Sequence, residues 1–130
     1  MTFEESFLQY LDDQEVGTKG TDMFVGELPK DVNNGVMIVA GASVNQNGYF
    51  DIRESNLEIW AINKSSNEAF AKLFEIQQAI HGNGNYAISG YWVYFSGTSS
   101  IEDLDRDLMG RKLVKLNARI IYRDLQNIIS

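Results

Sequence analysis

Leu57-Glu-Ile-Trp-Ala-Ile-Asn-Lys-Ser-Ser-Asn-Glu-Ala-Phe-Ala-Lys-Leu-Phe-Glu-Ile-Gln-Gln-Ala-Ile-His-Gly82 decides the fold. Its first part has the two-residue period of a strand over Asn56 to Asn63. Leu57, Ile59 and Ala61 face one way, and Glu58, Trp60 and Ile62 the other. The period then changes. Ser65 with Glu68 three residues later is a capping box. Ala69, Phe70, Leu73, Phe74, Ile76 and Ile80 follow as the wide apolar stripe of an amphipathic helix. His81-Gly82 ends it, with glycine at the C-cap and histidine near the carboxyl end, where the dipole favours a cation. A strand running straight into such a helix packs the helix back onto its own sheet.

Upstream, Phe3, Phe7, Tyr10 and Leu11 mark a short helix around Ser6 to Leu11, stopped by Asp12-Asp13 and Gly17 to Gly20. Asp22 to Pro29 reads as a short strand closed by proline, and Val36 to Ala40 as a central strand apolar on both faces. Gly41 to Glu54 is either a surface loop or a hairpin-like extension around Asn47-Gly48. In the second case Tyr49, Phe50, Asp51 and Arg53 form a contact arm, since aromatics on a polar loop are costly to leave in water.

Downstream, Tyr86 to Thr98 reads as one long strand with a bulge at Gly90. Ala87, Val93 and Phe95 lie on one face, and Ile88, Trp92 and Tyr94 on the other. Arg111 to Tyr122 is the last strand, with Val114, Leu116, Ala118, Ile120 and Tyr122 inward. Between them Glu102, Asp103, Asp105 and Asp107 are opposed locally by Arg106 alone, which predicts a self-repelling, flexible loop. Leu104 and Leu108, four apart, would let that loop become a short helix on an apolar partner. The order α, β, β, β, α, β, β predicts an α+β fold. It is a mostly antiparallel mixed β-sheet with one long amphipathic helix packed on one face and a short N-terminal helix, forming one domain over residues 1–130. The sheet's other face mixes Glu58, Lys115 and Arg119 with Trp60 and Ile121, as a surface meeting another subunit would.

Composition narrows the function. The chain has 130 residues, 44% of them hydrophobic, enough for a core without staples. No cysteine is present, which excludes disulfides and thiolate chemistry, and one histidine excludes multi-histidine metal sites. Eighteen acidic against eleven basic residues give a net charge of −7, a poor match to nucleic-acid phosphates. Glu4 and Glu5 stand where a signal peptide carries positive charge, and no apolar run approaches the length of a bilayer span. The chain is therefore expected in the cytoplasm when made, with no membrane partner.

The chemical motifs fail in turn. Asp103, Asp105 and Asp107 imitate the start of an EF-hand loop, but Leu108 stands where glycine is needed and Val114 where glutamate is needed. Gly17 to Thr21 lacks the phosphate-loop spacing, and no serine sits in a nucleophile elbow. No enzyme activity, cofactor or metal is expected, and the work falls to surfaces. The candidate interface residues are Tyr49, Phe50, Asp51, Arg53, Glu102, Asp103, Leu104, Asp105 and Leu108.

Three strings carry a resemblance: Phe24-Val-Gly-Glu-Leu-Pro29 ahead of Asn34-Gly-Val-Met-Ile-Val39; the strand–helix pair from Leu57 to Gly82; and Gly110-Arg-Lys-Leu-Val-Lys-Leu-Asn-Ala-Arg-Ile-Ile-Tyr122. In this order, from about Met23 to Tyr122, they resemble the tail-terminator (tail-completion, or minor capsid) proteins of long-tailed bacteriophages. The resemblance implies a structural virion protein of the tail and neck, assembled in the host cytoplasm as a hexameric ring. Such a ring caps the tail tube, ends its polymerisation and offers the head-joining surface. Its implied partners are further copies of itself, the major tail tube protein and the head-tail joining (stopper or neck) protein, with genome DNA passing through the lumen. The alternatives are a neck or head-completion connector of the same virion, or a small acidic inhibitor or immunity-type binding protein.

Overall fold

The computed structural model describes residues 2–29, 31–47 and 52–125, with backbone alone for 42–47. Two helices and a mixed, curled sheet make an α+β fold. In chain order the elements are α1 (Phe3–Asp13), β1 (Met23–Val25), β2 (Gly35–Asn47), β3 (Ile52–Asn63), α2 (Ser66–Ile80), β4 (Tyr86–Ile88), β5 (Tyr91–Thr98), β6 (Glu102–Arg106) and β7 (Lys112–Asp124). The strands lie in the order β1-β2-β3-β7-β5-β4. Strand β7 is the spine. One edge pairs with β3 along its whole length; the other pairs with β6 at Lys112–Lys115 and with β5 from Ala118 onward. Only β1 and β2 run parallel.

The helices start where the side chains say. Thr2 caps α1 by accepting the Glu5 N–H at 3.2 Å, so the helix begins at Phe3 and reaches Asp13, longer at both ends than the expected Ser6 to Leu11. Ser65 caps α2 by accepting the Glu68 N–H, and Gly82 follows the helix at φ +75°. Both helices cover the same sheet face. Ala69, Leu73, Ile76 and Ile80 of α2 and Phe3, Phe7, Leu8 and Leu11 of α1 share a core with Val36, Ile38, Leu57, Ile59, Ala61, Val114, Leu116 and Ile120. Phe3 stacks on Tyr122 with ring centroids 3.8 Å apart and meets Tyr91 edge-on.

Several expectations are corrected. The first strand is only Met23–Val25, because Gly26 turns the chain at φ +89°. Of the two expectations for Gly41 to Glu54, the surface loop gives way to the hairpin-like extension: residues 41–47 lie in β2 and 52–54 in β3, which pair as far as Asn47 with Ile52, and residues 48–51 fall outside the described residues. Tyr86 to Thr98 is a hairpin, not one strand. Gly90 at φ +81° reverses the chain, and Ile88 pairs with Tyr91. A register shift between Val93 and Phe95 then puts Val93 and Ser96 inward and leaves Phe95 exposed. Phe74 is not in the core; it is 57% exposed on the solvent side of α2.

Candidate functional site

The acidic segment is ordered. Glu102 lies opposite Lys115, Asp103 opposite Val114 and Arg106 opposite Lys112. The half-sunken Lys112 ammonium pairs with the Asp103 carboxylate, which also accepts the Asp105 N–H at 2.9 Å. The Lys112 bond, then that backbone bond, hold the Asp103 carboxyl below the usual carboxylate range. Asp105 sits at φ +71° and its carboxylate accepts the Arg106 N–H. Arg106 Nη1 donates to the Lys64 and Gly110 carbonyls at 3.0 and 2.7 Å.

The turn that follows is tied by Asp107. Its carboxylate accepts the N–H groups of Met109 and Arg111, each at 2.9 Å, and Arg111 Nε at 2.8 Å. The Arg111 N–H lowers its pKa most among these. Arg111 Nη1 reaches on to the Val32 carbonyl. The expected flexible, self-repelling loop is therefore replaced by a strand and a tight turn. The neutralising cations come from β7 rather than from the segment itself. Leu104 is half-buried. Leu108 is fully exposed and Met109 is 57% exposed at the tip of a fixed hairpin. Met109 was missed in the sequence because an isolated exposed methionine has no pattern.

The structure does not bring all the candidate residues together. Arg53 pairs with Tyr122, at the opposite end of β7 from β6. Tyr49, Phe50 and Asp51 lie outside the described residues.

The sheet face away from the helices is the other open surface. Met37, Trp60 and Lys115 form one cross-strand row, Val39, Glu58 and Asn117 the next. The Trp60 indole N–H donates to Glu58 at 3.1 Å, and Lys115 Nζ lies 5.7 Å from the ring centroid. Arg119 Nε meets Glu54 at 2.6 Å. Phe95, 41% exposed, adjoins Ile121 on this face. Ile62 points the same way yet is 5% exposed. The loop bearing Leu28 and Val32 lies over that end, within 3.2 Å of where a side chain at Gly35 would begin.

A cavity of about 290 Å³ beside α2 is lined by Val16, Met23, Val36, Ala61, Ala69 and Lys72, among others. Lys72 Nζ is engaged by the Val16 carbonyl at 2.6 Å and by Glu75 at 3.4 Å. Asp22, also on the cavity, accepts the Thr18 N–H and so holds a turn. His81 accepts the Thr98 N–H at Nδ1, which fastens the end of α2 to β5. Among the described residues no group of three or more His, Asp or Glu side chains is placed to hold a metal ion.

No curated protein matches the sequence. Among solved structures, a chain of the virion of a native gene transfer agent particle is similar in fold. Its TM-score is 0.59 at 12% identity, over 79% of each chain. The family model described as bacteriophage tail terminator protein matches residues 10–124, which span all the strands, α2 and the last turn of α1. With its two helices on one face of the sheet and its chemistry confined to surfaces, the chain belongs to the bacteriophage tail terminator proteins.

Proposed function

We propose that this structural tail protein forms a ring, a hexamer by resemblance, that caps the tail tube, ends its polymerisation and presents the surface on which the head docks. The observation that carries this reading, beyond the family itself, is the β6–β7 hairpin. Its backbone and charges are tied down by Asp107, Arg106 and Lys112, yet it holds Leu108 and Met109 out in water. A pre-ordered apolar tip with an acidic flank is a docking feature: little entropy is lost when a partner closes over it. The partner suited to it is a tail tube or head-joining protein with an apolar pocket and a basic rim.

The other candidate contacts take distinct places in the same scheme. Tyr49, Phe50, Asp51 and Arg53, at the far end of β3, form a second arm toward a neighbour. Glu102, Asp103 and Asp105 flank the first tip. The net charge of −7 suits a ring through which DNA slides without sticking. No catalytic step, cofactor or membrane enters this reading.

Phage assembly with Leu108→Asp and Met109→Asp tests it. Both positions are exposed, so the subunit should fold as before. Tails should then fail to join heads, or run overlong, by electron microscopy. Normal particles of normal tail length would refute the docking role of the tip.

A further inference from the structure

Strand β2 outruns its outer neighbour. Strand β1 pairs with it only from Val36 to Ile38, and Gly26 then turns the chain away at φ +89°. The loop that follows comes back beside Gly35 with Leu28 and Val32. From Val39 to Asn47, β2 pairs with β3 alone, and among the described residues no strand stands at its outer side.

The register decides which backbone groups face that side. Val36 donates its N–H to the Asp22 carbonyl, and the Ile38 carbonyl accepts the Gly26 N–H, so both residues aim their groups away from β3. They stand opposite Ala61 and Ile59. Ala40, Ser43 and Asn45 stand opposite Leu57, Ser55 and Arg53, which continue the same two-residue step along β3. Their N–H and C=O groups therefore point outward too. Two bulges, at residues 41–42 and 46, bend this edge and leave the phase of those three residues intact. Open edges are commonly guarded by charged side chains or proline as well. Val39-Ala-Gly-Ala-Ser-Val-Asn-Gln-Asn47 contains neither.

Strand β7 leaves the sheet on the opposite side. Asp124 pairs with Tyr91, and the Leu125 N–H donates to the Gly90 carbonyl at 3.0 Å, so the chain departs beside the β4–β5 hairpin. Gln126-Asn-Ile-Ile-Ser130 follows, with two β-branched apolar residues that suit a strand and no charged side chain. Five extended residues reach about 17 Å. The outer side of β2 lies three strand spacings from β7, about 14 Å. The crossing alone would use nearly the whole segment, and none would be left to lie along its own β2. A neighbouring copy set side by side imposes no such crossing.

We infer that residues 126–130 of one copy add a strand to the β2 edge of the next, on the backbone groups of Ala40, Ser43 and Asn45. A five-residue strand offers three alternate positions to one side, which matches the three that the edge presents. Main-chain bonds give such a contact its affinity. Segment and edge are on opposite sides of the sheet, so the contact is head-to-tail and closes into a ring when the rotation between copies allows. The inference rests on the ring reading above and names the element that links the subunits. The other strands of a second copy are poorer occupants. Strands β1 and β4 have three residues each, and β6 is charged and broken at Asp105.

The chain has no cysteine, so introduced thiols report without background. Ala40 is exposed, and Ala40→Cys is combined with Ile128→Cys. Assembled particles are treated with a short bismaleimide, whose reach covers a slip of one residue in register. The double variant should give a ladder of covalent oligomers, and each single variant none. Particles mixing the two single variants should stop at dimers. Removing residues 126–130 should leave the urea midpoint of the free subunit unchanged and abolish its incorporation. Glutaraldehyde on unmodified particles reads ring formation separately. A glutaraldehyde ladder with no ladder from the cysteine pair overturns the strand addition and leaves the ring intact. Absence of both ladders removes the ring reading, and this inference with it. A cross-link confined to one chain would put the segment on its own copy, and a link from Ala40→Cys alone to a different virion protein would give the edge to that protein; either result overturns the inference.

Discussion

Ser6 and Ser96 are both buried serines, and they act in opposite directions. Ser96 Oγ donates to the Ile80 carbonyl at 2.6 Å and accepts from the Tyr86 hydroxyl at 2.9 Å, closing the end of α2 onto β5. Ser6 Oγ lies in the core and finds no partner among the described residues. An unpaired buried hydroxyl is a net loss, so Ser6→Ala should raise stability by about 1 kcal/mol. The urea midpoint should move up at constant slope; a lower midpoint would show an unseen partner for Ser6. Neighbours on α2 differ as sharply. Leu73 is 0% exposed, and Leu73→Ala should cost ~2–5 kcal/mol. Phe74→Ala, one residue on, should change stability by less than ~0.5 kcal/mol. Equal losses at the two positions would mean the helix is rotated from its observed setting. The position of Phe74 was legible with a stricter wheel. At ~100° per residue it stands ~100° from Leu73, whereas Ala69, Ile76 and Ile80 stand within ~60°.

At the scale of elements, what the sequence revealed depended on how far apart the interacting parts lie. The strand–helix unit from Asn56 to Gly82 was legible because its period, cap and stop are all local. So was the inward face of β7 from Val114 to Tyr122. The β4–β5 hairpin was misread as a single strand because glycine at φ +81° and glycine at a bulge look alike in sequence. Phe95 was put on the wrong face because one extra residue shifts the alternation beyond it. Strand β6 was lost because the groups that neutralise Asp103 and Glu102, Lys112 and Lys115, arrive from the next strand.

That last arrangement also fixes how the hairpin should respond to pH. The Asp103 and Asp107 carboxyls have lower pKa values folded than unfolded. Their contribution is therefore fully present above the unfolded value of about 3.9 and is lost as pH falls through the folded values. Acidification below about pH 4 should accordingly loosen the β6–β7 tip. Amide exchange at Met109 and Arg111, whose N–H groups Asp107 accepts, should lose protection there relative to the intrinsic rate at each pH. In Asp107→Asn the Met109 amide should lose most of that dependence. A Met109 amide that responds identically in the variant would place its cause elsewhere.

On the scale of the whole molecule, the helices cover one face of the sheet and leave the other face uncovered. One end of β7 carries the Leu108–Met109 tip. At the other, β2 and β3 pair as far as Asn47 with Ile52, the residues that flank Tyr49 and Phe50 in sequence. All twelve residues of β3 pair with β7, and β2 holds β3 from its other side. The register of the sheet is thus set by the body of the two strands and needs nothing from the residues that join them. Tyr49→Ser with Phe50→Ser should therefore leave the urea midpoint of the free subunit unchanged within about 0.5 kcal/mol. The same variant should be poorly incorporated into particles, because two aromatic anchors are lost from a contact. The two measurements separate the arm's possible roles. A fall in the midpoint would make Tyr49 and Phe50 part of the subunit's own fold. An unchanged midpoint with normal incorporation would remove the arm from the assembly.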